Sequence, residues 1–250
     1  MKKLSTLIIA AFLLFAGSQL FAQTNVYLHL SGAIPTGNFA DGEIDNNSVE
    51  WGLVDDDKDG GAGLGFNAGF KFNIATGVNG LRAMITVDGI YNGLNSELRE
   101  YFSDLVDEGE DNYRDFTLIT PKYVNFAAMA GVNYTYYFNN KIGLFAEAGL
   151  GPNLRIITKW ENYKETENRK TTTTIEYDPK IALAYQFGAG IELSKRITLG
   201  LSYYNLGSAK VKYEKTTKVK SQEGTSSDTD KDSLKRITPT IVMLRIGFKL

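Results

Sequence analysis

The sequence predicts an all-β fold, a single antiparallel eight-stranded transmembrane β-barrel with short periplasmic turns and long extracellular loops. Three observations predict it. Beyond the N-terminal segment, polar and apolar residues alternate with a period of two. The connections between the alternating segments are short and long by turns. No later stretch reaches the ~20 apolar residues that a membrane-spanning helix needs.

Composition bounds the remaining classes. The 250 residues are 43% hydrophobic and 22% charged, which excludes collagen-like and disordered chains. Glycine is high at 25 residues, and the pattern places much of it in strands, where small residues let a narrow barrel close. Cysteine is absent, so disulfides, thiolate metal sites, a thiol nucleophile and a lipid-modified N-terminal cysteine are excluded. His29 is the single histidine, and the formal charge of −2 argues against a nucleic-acid partner.

In chain order, residues 1–22 read as an export signal, with Lys2 and Lys3 preceding the apolar run Leu7 to Gly17 and cleavage expected between Ala22 and Gln23. Residues 23–250 form the barrel domain. Its first strand carries Val26, Leu28 and Leu30. The second puts Leu64, Phe66, Ala68, Phe70, Phe72 and Ile74 on one face, and Gly65, Asn67, Gly69, Lys71 and Asn73 on the other. The third sets Leu81, Ala83, Ile85 and Val87 against Arg82, Met84, Thr86 and Asp88. The fourth runs from Val124 to Phe138, with Asn125, Met129, Asn133 and Thr135 on its polar face. The fifth opposes Ile142, Leu144, Ala146 and Leu150 to Phe145 and Glu147. Ile181 to Leu193, Ile197 to Tyr203 and Val242 to Leu250 complete the eight.

Short connections fall near 75–80, 139–141 and 194–196, and long ones at about 35–62, 95–122, 158–179 and 213–236. With antiparallel neighbours, the short turns share one end of the barrel and the long loops the other. A lipocalin-type soluble barrel would turn the apolar face inward. Here the second face is too rich in Gly, Asn, Thr and charge to line an apolar pocket, and Tyr134, Tyr136, Phe138 and Tyr203 near strand ends fit an interfacial girdle.

The chain resembles the small, porin-like outer-membrane β-barrel proteins of Gram-negative bacteria. The resemblance rests on Phe21-Ala22-Gln23 at the signal end, Ile34-Pro35-Thr36-Gly37-Asn38-Phe39 after the first strand, Phe187 to Leu193, and the final strand. It implies an outer-membrane location, contact with outer-membrane lipid or lipopolysaccharide, and Phe248 and Leu250 as the signal read by the barrel-assembly machinery.

An eight-stranded barrel is just wide enough for side chains to fill it. Lys71, Arg82, Asp88, Glu147, Arg155, Glu192 and Arg245 lie on the polar phase, and buried charges must pair. The expectation is a polar plug in which Glu147 and Glu192 meet some of Lys71, Arg82 and Arg245.

Four loop features are candidate sites. Asp55, Asp57, Asp59 and Gly60 match the opening of a calcium loop, but the twelfth position is Phe66 rather than Glu, so a full EF-hand is excluded and loose divalent-cation binding is the remaining metal reading. Leu98, Tyr101, Phe102 and Leu105 have helical spacing after a cap-like Ser96, which predicts a short helix packing locally or covering the mouth. The third and fourth loops alternate enough to extend into a protruding sheet whose edges could take an extracellular protein or a polysaccharide. Residues 221–232 read as a polar, mobile tip. No cofactor is expected, and a monomer is. The function read from these features is envelope anchoring or surface interaction by a filled barrel. The alternatives are a narrow channel for small solutes and, least favoured because only His29 could serve a triad, a lipid-modifying enzyme.

Overall fold

The computed structural model describes residues 24–41, 60–222 and 224–250; of residues 232–237 it describes the backbone only. The signal segment and its cleavage point lie outside the described residues, as do Asp55, Asp57 and Asp59.

Eight strands close into one antiparallel barrel: β1 (Thr24–Thr36), β2 (Ala62–Ala75), β3 (Leu81–Leu94), β5 (Tyr123–Tyr137), β6 (Ile142–Ile157), β9 (Lys180–Leu193), β10 (Ile197–Asn205) and β13 (Thr240–Lys249), in the order β1-β13-β10-β9-β6-β5-β3-β2. First and last strands seal it, with Tyr27 opposite Lys249 and Thr36 opposite Thr240. Both ends of the barrel sequence and the three short turns share one rim. One of those turns is tight: Arg196 N–H donates to Leu193 O at 3.0 Å, and Ser194 and Lys195 both have positive φ (52° and 57°), the primed geometry that suits strand twist.

Glycine lets the wall close. A Cβ on Gly131 would overlap the Ala148 carbonyl oxygen, and one on Gly151 would overlap that of Ala128.

The polarity of the wall is inverted relative to a soluble protein. Phe66, Phe126, Leu183 and Leu244 are 60%, 52%, 70% and 65% exposed. Lys71, Asn67, Asn125, Glu147 and Arg245 are buried. The apolar phase therefore faces outward, and the lipocalin arrangement is rejected.

The other five strands, β4 (Asp115–Ile119), β7 (Trp160–Thr166), β8 (Arg169–Tyr177), β11 (Ala209–Ser221) and β12 (Gly224–Ile237), form a second antiparallel sheet ordered β12-β11-β8-β7-β4. This order repeats that of the barrel strands they adjoin, β13-β10-β9-β6-β5. The sheet is thus a crown that carries one arc of the barrel wall onward past the long-loop rim. Two expectations are corrected here. Most of residues 221–232 is strand β12 rather than a mobile tip, because Thr225 to Ser233 pair residue by residue with β11. The second loop also contributes β4, which pairs Phe116 with Lys164 and Leu118 with Asn162.

Helix α1 (Ser96–Asn112) precedes β4. Its N-cap is Asn95 rather than Ser96: the Asn95 side chain accepts from Leu98 N–H at 2.9 Å. The helix buries Leu98 and Phe102, and Gly109 lets the Phe116 ring approach so closely that a Cβ there would overlap it. Leu98 and Phe102 join Phe39, Leu94, Tyr123, Ile157, Ile175 and Tyr177 in one apolar cluster at the long-loop end. Phe39 and Tyr123 meet edge-on at 5.0 Å within it.

Candidate functional site

The barrel lumen is the first candidate. Inward phase on β6 delivers Glu147 to its middle. Lys71 of β2 donates to one carboxylate oxygen at 3.0 Å, and Arg245 of β13 donates to the other at 2.7 Å. Asn133 also donates to Glu147, at 3.3 Å. The Lys71 ammonium lies 4.9 Å from the Phe145 ring centre, a cation–π contact.

Toward the short-turn end, Arg82 approaches Glu192 at 3.7 Å and donates to the Tyr137 hydroxyl at 3.1 Å. Tyr137 in turn donates to Glu192 at 2.8 Å. Asp88 does not meet a lumen lysine or arginine directly. It is held by His29 at 2.6 Å, by Asn67 at 2.9 Å and by the Tyr204 hydroxyl at 3.2 Å. Arg245 donates to that same hydroxyl, so His29, Asp88, Tyr204, Arg245, Glu147 and Lys71 form one continuous polar chain. Arg155 stands apart near the long-loop end, buried, and donates to Gly207 O at 2.7 Å.

The residues that sequence reasoning missed are Tyr204, Tyr137, Asn67 and the His29–Asp88 contact. A signal existed for Tyr204: it shares the phase of Thr198 and Ser202, so the Tyr203-Tyr204 pair puts one ring in lipid and one in the lumen. The His29–Asp88 contact spans the intervening β2 strand at Gly69, where a Cβ would lie 2.7 Å from His29 Nε2 and 2.8 Å from Asp88 Oδ1.

The crown is the second candidate. Its inner face packs Ile175, Tyr177, Trp160 and Leu118 over the mouth. Its outer face is polar: Glu165 accepts from Lys170 at 2.7 Å and from the Tyr163 hydroxyl, and Lys231 pairs with Glu214 at 2.8 Å. The Lys170 hydrogen bond, then that of Tyr163, hold the Glu165 carboxyl below its ordinary range. Among the described residues, no three His, Asp or Glu side chains converge as a metal site.

A closed antiparallel barrel with lipid-type apolar residues outside and paired charges inside is a membrane-spanning barrel of the bacterial outer-membrane class, and the outer membrane is its location. No protein-family model and no curated protein matches the chain. Among solved structures it is similar to a major outer membrane protein from Thermus thermophilus, at 12% identity and a TM-score of 0.41 over 91% of this chain and 99% of that one. It is also similar to Ail, the attachment invasion locus protein of Yersinia pestis, at 11% identity and a TM-score of 0.37, covering 91% and 97%. Ail in complex with the heparin analogue sucrose octasulfate is similar at 10% identity and a TM-score of 0.35, with the same coverage.

Proposed function

We propose that this barrel is a closed, non-conducting anchor that presents its crown sheet at the cell surface for contact with an extracellular protein or polysaccharide. The observation that carries the reading is double closure of the lumen. Glu147 is braced from both sides by Lys71 and Arg245, and the apolar cluster of Phe39, Leu98, Phe102 and Tyr123 covers the long-loop end. Ions crossing this path would have to break a buried ion-pair network and then traverse an apolar layer, both costly steps. The crown's outer edge supports the second half of the reading. Residues 224–231 of β12 are exposed along a strand with no partner beyond β11 among the described residues, an edge able to accept an added strand.

A non-enzymatic role fits the single histidine. His29 Nε2 is engaged by Asp88, and Ser31 Oγ makes no hydrogen bond to described protein groups, so the serine–histidine contact a triad needs is not formed. Refolded protein in planar bilayers tests the closed lumen: no steady unit conductance is expected, and stable channels would overturn the reading. Shortening the hairpin tips at 166–169 and 221–224 should abolish attachment of expressing cells to protein- or polysaccharide-coated surfaces while the barrel still folds.

A further inference from the structure

The crown and helix α1 are two layers whose outward faces carry opposite charge. On β11, Lys210, Lys212, Lys218 and Lys220 share the face opposite buried Val211, and all four are exposed. None of them is in an ion pair among the described residues, and the carboxylate on the same face of the strand, Glu214, pairs with Lys231. On α1, Arg99 is the only basic residue, and Glu100, Asp104, Asp107 and Asp111 line the face opposite buried Leu98, Phe102 and Gly109. These carboxylates are exposed and likewise in no ion pair among the described residues. Glu100 and Asp104, then Asp107 and Asp111, are like charges four residues apart, and the last turn holds no basic residue to meet the negative end of the helix dipole. The helix thus carries repulsion that no described residue of its own chain relieves.

Topology sets the two faces on opposite sides of the molecule. Asn95 N–H donates to Gly61 O at 2.9 Å and the Asn95 side chain donates to Ala40 O, so the helix starts over the β1-β2-β3 arc. β8 and β11 adjoin β9 and β10, halfway round the barrel from β2 and β3. The buried side of α1 packs toward the crown, Gly109 on Phe116 and Leu98 and Phe102 in the cluster with Ile175 and Tyr177, so its acidic side points away from the sheet. The faces also stand at one height. Phe116, Lys164, Thr171 and Val219 pair in a single row across the crown. Asp107 and Asp111, on either side of Gly109, therefore share the level of Lys218 and Lys220, on either side of Val219. From its start at the rim the helix runs about 25 Å, and Lys212 to Lys220 covers about 26 Å.

We infer that copies of this protein associate head to tail in the plane of the outer membrane, the acidic face of α1 on one copy lying against the basic outer face of β11 on the next. All copies in a membrane have their long loops on the same side and their rims at the same depth, so lateral encounter brings these two faces together at one level. Their potentials are complementary, and the contact relieves the like-charge repulsion within each face. Opposite placement makes it heterologous: each copy can hold a neighbour on either side, which builds rows rather than closed pairs. Dispersed in micelles, without that shared orientation and crowding, the chain stays a monomer. The β12 edge remains free, so this association is independent of attachment through the crown edge.

The chain has no cysteine, so an introduced thiol is the only one each copy carries. Two differently tagged full-length copies are expressed together in a Gram-negative outer membrane, one with Ser103→Cys on the exposed side of α1 and the other with Thr216→Cys between Glu214 and Lys218 on β11, and the cells are oxidised with copper phenanthroline. A mixed disulfide carrying both tags is expected in excess over either same-site disulfide, and it should fade as salt is raised. Adding Glu100→Lys and Asp104→Lys to the first copy should abolish it, and adding Lys210→Glu and Lys212→Glu to the second should then restore it. A heat-shifted gel band shows that each barrel has folded; should the reversed copies not fold, the salt response of the unreversed pair decides alone. Same-site disulfides equal to or above the mixed one, a mixed disulfide indifferent to salt, or no restoration by the double reversal would overturn the inference. Attachment of cells to coated surfaces is read separately and can fail without altering this result.

Discussion

Glu147 and Arg245 stand 2.7 Å apart although the strands that carry them, β6 and β13, are separated in the wall by β9 and β10. Lys71 reaches the same carboxylate from the opposite side, across β5 and β3. The three side chains therefore tie together parts of the wall that share no backbone hydrogen bonds. Backbone pairing closes the circumference; this contact spans the diameter.

Removing Glu147 should be among the most damaging single changes in the lumen. Glu147→Gln leaves two buried cations facing a neutral amide, and breaking a buried ion pair by removing one partner costs about 3–5 kcal/mol. Glu192→Gln should cost less, because the Arg82 side chain is 17% exposed, its contact is longer at 3.7 Å, and Tyr137 remains beside it. Urea unfolding of both variants in micelles gives the order; a Glu192 variant as unstable as the Glu147 variant would contradict it.

Two glycine substitutions should separate closure of the wall from exposure to lipid. In Gly131→Ala the new methyl would overlap the Ala148 carbonyl oxygen, so strands β5 and β6 must shift, at a cost of about 1–3 kcal/mol or more. In Gly32→Ala nothing lies within 4 Å of the new methyl, and stability should be unchanged or slightly raised. Refolding yield and urea midpoints measure the contrast.

The barrel was legible because uninterrupted alternation, as from Leu64 to Ile74, assigns a phase to every residue, and phase alone puts Lys71 and Glu147 inside. What alternation cannot give is which strands face each other across the lumen, so the partners of Asp88 were not readable. They depend on Gly69 opening a gap and on the Tyr204 ring reaching across. β12 was missed for a different reason. Gly224 to Asp232 has no apolar phase, and its strand form comes from pairing with β11. The helix start was misplaced by one residue because Asn95 and Ser96 both make good caps, and only backbone geometry chooses between them.

That cap supplies a prediction for the cover of the mouth. Asn95 Oδ1 accepts from Leu98 N–H and its Nδ2 donates to Ala40 O at 3.2 Å, so one side chain fixes the helix start and joins it to the first loop. Asn95→Ala should cost about 1 kcal/mol. The loss should be local, read as faster amide exchange and earlier protease cleavage within 96–112 while the barrel's urea midpoint moves little.

The crown's outer face gives a pH-dependent readout. Glu165 is half-buried on the outer face of the crown, and its carboxyl is held low first by the Lys170 hydrogen bond and then by that of Tyr163. A depressed carboxyl contributes its stabilisation above the unfolded-state value and loses it as pH falls through the lower folded-state value. The Lys170 ammonium is raised by the same contact, so its share is complete below its ordinary value and fades as pH rises through the raised one. Lys170→Gln should therefore move the Glu165 titration upward toward the ordinary carboxylate range. Tyr163→Phe should move it upward by less, the tyrosine bond being the second of the two causes. Carboxyl-detected NMR titration of the three proteins reads both shifts. A Glu165 titration unmoved by Lys170→Gln would show that the contact linking β7 to β8 on the outer face does not persist in solution.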